Sequence, residues 1–407
     1  LRPCVMNLRQ SIRPNGLRLI VIPRLGTRTV AARFFVRAGS RYDGVQPGLA
    51  HFTEHLLFRG QTKFFADIEA RGGELNAQTT REYLGLFTVT MGNDLPLALT
   101  LLSELVLRPE FSSANFLAEK LVIAGEIEQA RDRSSVLYDH FQQQLWGAEH
   151  PFGRPVLGTP RGLAALELPH VEKFYRQRFV GGNAVLVICG DIDGPQAQSL
   201  VAEAFDELPA GPAQPPEALP ETPRGSRGAQ ISRNTGRNYL LVGVPTGGLK
   251  HPDRSALKII ELALGMGASG HLYRRLRDEL GLVYSVNAVS SVYEDAGYLA
   301  VQAVCAPEQA TTVQDAIFDL WVEIIEAGIA LDEIAAAQGN YAGKLARRFE
   351  TNLSVAGIFG IEALLHEVEP FEAAIARING VTRERVRQAA QAYLQEDRAV
   401  VVSLGPS

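Results

Sequence analysis

Cysteine, excess positive charge and long apolar runs are all scarce in this chain of 407 residues. Its three cysteines, Cys4, Cys189 and Cys305, lie far apart, so the sequence predicts no disulfide framework and favours a reducing compartment. The formal net charge of −5 provides no basic surface, so we expect neither nucleic acid nor an anionic membrane as a partner. No apolar run reaches the roughly 18 residues that a membrane-spanning helix requires.

The location that these absences favour is the cytoplasm. The chain begins without Met, and a targeting segment could have been removed from it. A periplasmic, secreted or organellar location therefore stays open. Hydrophobic residues make up 46% of the chain and charged residues 21%, which is typical of a globular protein with a sizeable core.

A Pro-rich stretch near the middle of the chain predicts two domains. Residues 209–228 contain six prolines and little that could enter a core, so we interpret them as a semi-extended linker. We expect an N-terminal domain at residues 1–208 and a C-terminal domain at residues 229–407. Each would then have about 200 residues, a usual size for one domain.

The two halves repeat one order of predicted elements. Each begins with apolar strands, continues into an apolar helix, and ends with an amphipathic helix that leads into a β-branched strand. The two endings, Val171–Gly190 and Val386–Gly405, lie at a constant offset of 215 residues, with apolar positions opposite apolar positions. The pattern therefore predicts a duplicated α+β unit.

The strongest local signal is the stretch Ala50-His51-Phe52-Thr53-Glu54-His55, set in an otherwise apolar helical run. Spacing by four places His51 and His55 on one face of a helix, where two imidazoles can bind one zinc ion. Glu54 flanks the same face and can act as a proton acceptor for a water on the metal. A pair of core histidines is the alternative, but we expect this triplet by chance only on the order of 0.01 times per chain. The sequence predicts an H-x-x-E-H zinc site.

Such a site needs a third protein ligand and an open position. In the predicted helix 113–131, Glu119 and Glu126 lie on one apolar stripe at helical spacing. A glutamate on an apolar stripe needs a cation or a metal as its partner. Either of the two is then the third ligand, and the other orients the ligands through hydrogen bonds. The alternative is that both glutamates only reach solvent at the edge of the stripe.

Further motifs give the chain a family resemblance. They are Gly39-Ser40-Arg41, Gly48 to Gly60, Asn76-Ala77-Gln78-Thr79, the helix Glu119 to Glu126, His150-Pro151-Phe152-Gly153 and Leu276 to Ser285. With these motifs the chain resembles the inverzincin metallopeptidases of the pitrilysin–insulinase group. It is most similar to the short branch typified by mitochondrial processing peptidase, and the resemblance covers nearly the whole chain.

The resemblance implies a role for each matching residue in the first half. His51 and His55 match the family's zinc-binding histidines, and Glu54 matches its catalytic base. Glu126 matches the third zinc ligand, and Glu119 matches the glutamate that supports the ligands from behind. The resemblance thus ranks the two glutamates, which the helical pattern alone does not.

Two further pairs of residues take their expected roles from the same resemblance. Asn76 and Ala77 match the edge segment that pairs with an extended peptide substrate. Arg277 and Tyr284 match a pair that contacts the substrate carbonyl and stabilises the tetrahedral oxyanion. From composition alone, a surface arginine and a strand tyrosine would be the simpler interpretation of the second pair.

The resemblance also implies a fold and an assembly. We expect two α+β sandwich domains, each an antiparallel-rich sheet with helices on one face, related by a pseudo-twofold axis. In the family, two half-length chains form a closed chamber, and this chain of 407 residues is one such half that carries both the zinc motif and the Arg277 and Tyr284 pair, so we expect a dimer. In it, the pair of one chain would face the zinc of the other. A homodimer is the simplest form, and a heterodimer with a paralogue stays open.

The implied function is that of a zinc-dependent endopeptidase with one zinc ion per chain. It would cleave short or unfolded peptides, either as a scavenger or as a protease that processes precursors or leaders. The alternative is a catalytically inactive peptide-binding or scaffold subunit of a heterodimer. The intact H-x-x-E-H motif favours the enzyme.

Overall fold

Two mixed sheets, each packed against helices, organise the chain. The structure is a computed structural model and describes residues 8–60, 62–130, 135–223 and 225–406. Within those ranges, none of the helices has both the length and the apolar character needed to cross a membrane. Cys4 lies outside the described residues, and Cys189 and Cys305 are buried free thiols.

The first sheet has six strands and carries the edge that matters for function. They are β1 (Arg9–Ile12), β2 (Arg18–Pro23), β3 (Thr29–Val36), β4 (Glu74–Thr79), β5 (Leu84–Met91) and β6 (Ala184–Gly190). Their order is β1-β2-β6-β3-β5-β4, and every pair is antiparallel except β2 with β6. Strand β4 is therefore at one edge of this sheet.

The second sheet has the same strand order as the first but contains no counterpart of β1. Its members are β7 (Arg227–Ser232), β8 (Asn238–Thr246), β9 (Val283–Val292), β10 (Gly297–Cys305) and β11 (Val400–Gly405). Their order is β7-β11-β8-β10-β9, with β7 and β11 parallel and the other pairs antiparallel. The parallel pair again joins the first strand of the repeat to its last, as β2 and β6 do.

Fourteen α-helices lie in the described part of the chain. They are α1 (Leu49–Phe58), α2 (Thr62–Glu69), α3 (Leu95–Leu107), α4 (Ser113–Ala130), α5 (Ser135–Trp146), α6 (Pro160–Ala165), α7 (Leu168–Arg178), α8 (Gly194–Phe205), α9 (Arg254–Gly265), α10 (Ala310–Ala327), α11 (Leu331–Arg348), α12 (Asn352–Leu365), α13 (Phe371–Asn379) and α14 (Arg383–Tyr393). The helix predicted over residues 113–131 corresponds to α4.

The chain forms two compact units that are not its two continuous halves. The first unit contains residues 1–130, 155–218 and 348–368, and the second contains the rest. Helix α12 therefore belongs to the first unit and helix α5 to the second. The division into residues 1–208 and 229–407 did not include this exchange of segments.

The exchanged helices cover the sheet faces that the other helices leave open. On β3, Phe34 points into the core formed with α1 and α3, whereas Phe35 points to the opposite face and packs against Gly360 of α12. In the second unit, Phe141 of α5 packs in the same way against Tyr298 of β10. Both faces of these strands are apolar, so both need a covering layer. The predicted α+β units are confirmed, with one additional helix on the second face of each sheet.

Candidate active site

Helix α1, which carries both histidines of the motif, has a defined start. Gly48 precedes it with φ of 94°, and a Cβ there would lie 2.9 Å from Gly158 Cα, so both the backbone and the space require glycine. The buried Asp43 carboxylate accepts hydrogen bonds from Gly48 N at 2.7 Å and Ala50 N at 2.8 Å. A carboxylate at a helix N-terminus satisfies free N–H groups and interacts favourably with the helix dipole.

The packing of α1 fixes the direction of its polar side chains. Phe52 and Leu56 are fully buried in the core of the first unit, so the helix cannot rotate about its axis without exposing them. His51 and His55 then lie one turn apart on the same face, with ring centroids 4.6 Å from each other. The sequence pattern predicted this arrangement.

Helix α4 brings Glu126 to the two imidazoles. Oε2 of Glu126 lies 3.4 Å from Nε2 of His55 and 3.8 Å from Nε2 of His51. One ligand atom from each of the three residues lies within 4.8 Å of the other two. Two imidazole nitrogens and one carboxylate oxygen form a donor set that suits a zinc ion with an open fourth position. The residues present therefore fit the metal that the sequence predicts.

Glu119 lies one layer behind this donor set. Its Oε2 is 3.1 Å from Nδ1 of His55, and its Oε1 accepts a hydrogen bond from Nη1 of Arg59 at 2.8 Å. With Nδ1 donating to Glu119, the lone pair of His55 is on Nε2, the atom nearest Glu126. The sequence pattern did not identify Arg59, although it follows His55 by one helical turn and offers the charge that the buried Glu119 requires.

The environment of His51 favours the neutral, ligand form of its imidazole. Burial, and then the neighbouring His55, lower the pKa of His51 to about 4. Its Nδ1 is buried and has no hydrogen-bond partner among the described residues, so the imidazolium would gain no compensating contact there. A neutral imidazole is the form that binds a metal ion.

Glu54 projects from α1 toward the end of β4. The hydroxyl of Thr79, the last residue of that strand, donates a hydrogen bond to Oε2 of Glu54. Burial raises the pKa of Glu54, while the hydrogen bond from Thr79 and the nearby His55 oppose that rise. A carboxylate whose pKa is moved toward neutrality is suited to accept a proton and return it. Thr79 had no assigned role in the sequence pattern.

Asn76 and Ala77 lie on β4, at the edge of the first sheet and beside Glu54. The Ala77 N–H donates to the side chain of Asn76 at 2.8 Å, so this N–H points to the free edge of the strand rather than toward β5. A cleft of about 650 Å³ opens at this edge. Its lining residues are Glu54, His55, Phe58, Arg59, Gly60, Phe65, Asn76, Ala77 and Glu119.

Comparison with known proteins identifies the family. A family model described as insulinase (peptidase family M16) matches residues 19–160, and one described as the peptidase M16 inactive domain matches residues 165–341. A protein of Mycobacterium tuberculosis named an uncharacterized zinc protease is 30% identical, over 98% of this chain and 93% of its own length. The chain belongs to peptidase family M16.

Two more distant proteins are similar to this chain over nearly its whole length. A chain of Arabidopsis thaliana named as a beta subunit of mitochondrial-processing peptidase is 22% identical, over 97% of this chain and 77% of its own length. The crystal structure of a protease from Helicobacter pylori superposes with a TM-score of 0.91 at 21% identity, covering 98% of this chain and 100% of that one. The structural likeness shows that the two-domain M16 fold is present.

Arg277 and Tyr284 belong to the second unit of this M16 chain. Arg277 lies in a π-helical segment, Tyr273–Glu279, and its guanidinium donates to the backbone carbonyl of Tyr284 at the start of β9. The Tyr284 side chain is 52% exposed, and the guanidinium of Arg237 lies 5.1 Å from its ring centroid. The two residues therefore form one local group, and their role at a zinc site stays a prediction. Helical π segments often occur at functional sites.

Proposed function

We propose that this protein is a zinc-dependent endopeptidase that cleaves short or unfolded peptides. The observation that carries the proposal is the convergence of His51, His55 and Glu126 on one point, with the Glu54 carboxylate beside them at a sheet edge. His51, His55 and Glu126 would hold one zinc ion per chain. When bound, zinc supplies Lewis-acid polarisation of the scissile carbonyl and acidifies water.

The peptide would bind by adding a strand to β4. The Ala77 N–H, which now donates to Asn76, would donate to a substrate carbonyl instead, so the extended peptide is aligned along the cleft. Unfolded or short peptides fit this mode because their backbone groups are free to form a ladder. The partly buried phenyl rings of Phe58 and Phe65 at the cleft offer an apolar contact for a substrate side chain.

Glu54 would act as general base and then as general acid. It takes a proton from the attacking water and returns it to the nitrogen of the leaving amine. Arg277 and Tyr284 would donate hydrogen bonds to the oxyanion of the tetrahedral intermediate. We propose that these donors come from a second chain in a dimer that encloses the site. This arrangement requires the metal-binding residues of one chain and the Arg277 and Tyr284 pair of the other, and each chain contains both sets. Precursor or leader processing is one form that this activity could take.

Metal content and cleavage of a mixed-peptide pool test the proposal. The purified protein should contain about one zinc ion per chain, and it should cleave unfolded peptides after zinc is restored to a chelated sample. The Glu54→Gln variant should keep its zinc and lose nearly all cleavage. A zinc-loaded wild-type protein that cleaves no peptide would overturn the proposal in favour of a peptide-binding subunit. A Glu54→Gln variant as active as wild type would overturn the assignment of Glu54 as the general base.

A further inference from the structure

The hydroxyl of Thr79 is used in an unusual way for a threonine of this fold. It donates to the carboxylate of Glu54, which lies on a different element and 25 residues away in sequence. Thr53 and Thr80 instead donate to nearby backbone carbonyls, as local threonine contacts usually do. A strand hydroxyl aimed at a partly buried carboxylate restricts how that carboxylate can rotate.

The position of Thr79 is fixed by the turn that follows it. The segment Gly39–Asp43 lies against this turn, with Ser40 N donating to Thr80 O at 3.0 Å and Arg41 N donating to Arg81 O at 2.8 Å. The side chains of Arg41 and Glu82 form a buried ion pair at 3.4 Å. A buried and hydrogen-bonded contact of this kind resists displacement far more than a surface ion pair does.

The same segment also holds helix α1, which carries Glu54, the acceptor of the Thr79 hydrogen bond. Asp43, at its end, caps the N-terminus of α1 through Gly48 N and Ala50 N. Glu54 is on that helix, and Thr79 is beside the turn that Ser40 and Arg41 hold. The Gly39–Asp43 segment therefore contacts both α1, which carries Glu54, and the turn after Thr79, while Glu54 and Thr79 contact each other. These contacts set the distance between the helix and the strand.

We propose that Thr79 is a positioning residue that holds the Glu54 carboxylate in the orientation needed for proton transfer. The inference rests on the proposed endopeptidase function. A misplaced general base loses much of its contribution, because proton transfer requires close and directed contact. Among the described residues, the hydrogen bond of the Thr79 hydroxyl goes to Glu54 and not to His51, His55 or Glu126, so loss of the hydroxyl should affect catalysis and not metal or substrate binding.

The test compares Thr79→Val, which removes the hydroxyl at constant shape, with Thr79→Ser, which restores it. Thr88→Val is the matched control, because Thr88 is buried in the adjacent strand β5 and its hydroxyl has no partner among the described residues. We expect Thr79→Val to lower kcat about 10- to 100-fold, with KM and the zinc dissociation constant within about twofold of wild type. Thr79→Ser should recover kcat to within about threefold, and Thr88→Val should match wild type.

A second arm places Thr79→Val in the Glu54→Gln background. If Thr79 acts only through Glu54, the double variant should keep the residual activity of Glu54→Gln alone. A further loss in that background would overturn the proposal, as would a Thr79→Val variant with normal kcat or one that Ser does not rescue. A weakened zinc affinity in Thr79→Val would overturn it as well.

A crystal structure of Thr79→Val separates this inference from the proposed function. If the wild-type protein cleaves no peptide, the endopeptidase proposal fails, whatever the Thr79 variants do. The rotamer of Glu54 in the crystal structure then still tests whether Thr79 positions its carboxylate. A changed Glu54 rotamer in Thr79→Val, with an unchanged one in Thr88→Val, supports the positioning role. An unchanged rotamer in both variants overturns it.

Discussion

The carboxylate of Glu119 lies 3.1 Å from Nδ1 of His55, and this contact selects which nitrogen of His55 is available to a metal. Arg59 donates to the second oxygen of Glu119 at 2.8 Å, so this buried carboxylate has a cationic partner on its far side. Two hydrogen bonds connect the three side chains, so Arg59 orients Glu119 and Glu119 orients His55. Contacts of this type raise the basicity of a histidine ligand and reduce its freedom to rotate.

Glu119→Gln should weaken zinc binding about 10- to 100-fold, because the uncharged amide no longer stabilises the proton on Nδ1 of His55. Competition with a chromophoric chelator measures the dissociation constant. Glu128→Gln on the exposed side of the same helix is the matched control and should bind zinc as wild type does. Equal affinities in the two variants would show that Glu119 does not support the metal site.

Complementation between two inactive variants should reveal whether Arg277 and Tyr284 act across a dimer. Glu54→Gln removes the base, and Tyr284→Phe removes one oxyanion donor, which should cost about 10²- to 10³-fold in kcat. When the two are co-expressed and the mixed assembly is purified by two different tags, one of its two sites has both intact parts.

Because random pairing makes half of all dimers mixed, an unfractionated mixture should recover about a quarter of wild-type activity. Each variant alone is the control and should show only its own residual activity. A purified mixed assembly no more active than its parents would contradict action in trans. Recovery requires only that chains exchange partners during co-expression, so the measurement does not depend on the affinity of the assembly.

Periodicity in the sequence was sufficient to predict the elements that carry the donor set. The α1 bounds follow from an apolar pattern that ends at Phe58, and spacing by four put His51 and His55 on one face. The same pattern identified Glu119 and Glu126 without ranking them. In the structure, Glu126 lies near both Nε2 atoms and Glu119 near a single Nδ1. The ranking depends on the distance between two helices, which no local pattern encodes.

Contacts between elements distant in sequence could not be predicted in this way. The hydrogen bond from Thr79 to Glu54 joins a strand to a helix, and the exchange of α5 and α12 joins each helix to the other half's sheet. The apolar residues on both faces of β3 do indicate that a second covering layer is needed, but not which helix supplies it. The π-helical segment that holds Arg277 has no sequence signature distinct from that of an ordinary helix.

Ala77→Pro should weaken substrate binding without affecting the metal. The Ala77 N–H points to the free edge of β4, and proline removes this donor without breaking the ladder with β5. Loss of one net hydrogen bond of about 1 kcal/mol should raise KM about fivefold for an extended peptide. Gln78→Ala, at the next and exposed position of β4, is the control. An unchanged KM in Ala77→Pro, with normal zinc content, would contradict strand addition at this edge.

The metal-free protein should lose stability in mild acid because of His51. Burial and the neighbouring His55 lower the pKa of His51 to about 4 in the folded state, whereas an unfolded chain has a histidine pKa of about 6.5. The unfolded state therefore binds more protons between these values. The contribution of His51 is fully present above about pH 6.5 and is lost as the pH falls toward about 4, by up to about 3 kcal/mol.

Urea unfolding of the chelated protein at several pH values between 7 and 4.5 measures this loss against His51→Gln, which cannot take up the proton. The free energy of unfolding of wild type should fall more steeply with decreasing pH than that of the variant, because other groups titrate in both. Parallel pH profiles would mean that the imidazole of His51 accepts a proton as readily in the folded chain as in the unfolded one. Its neutral state would then have to be imposed by the metal itself rather than by the packing of α1.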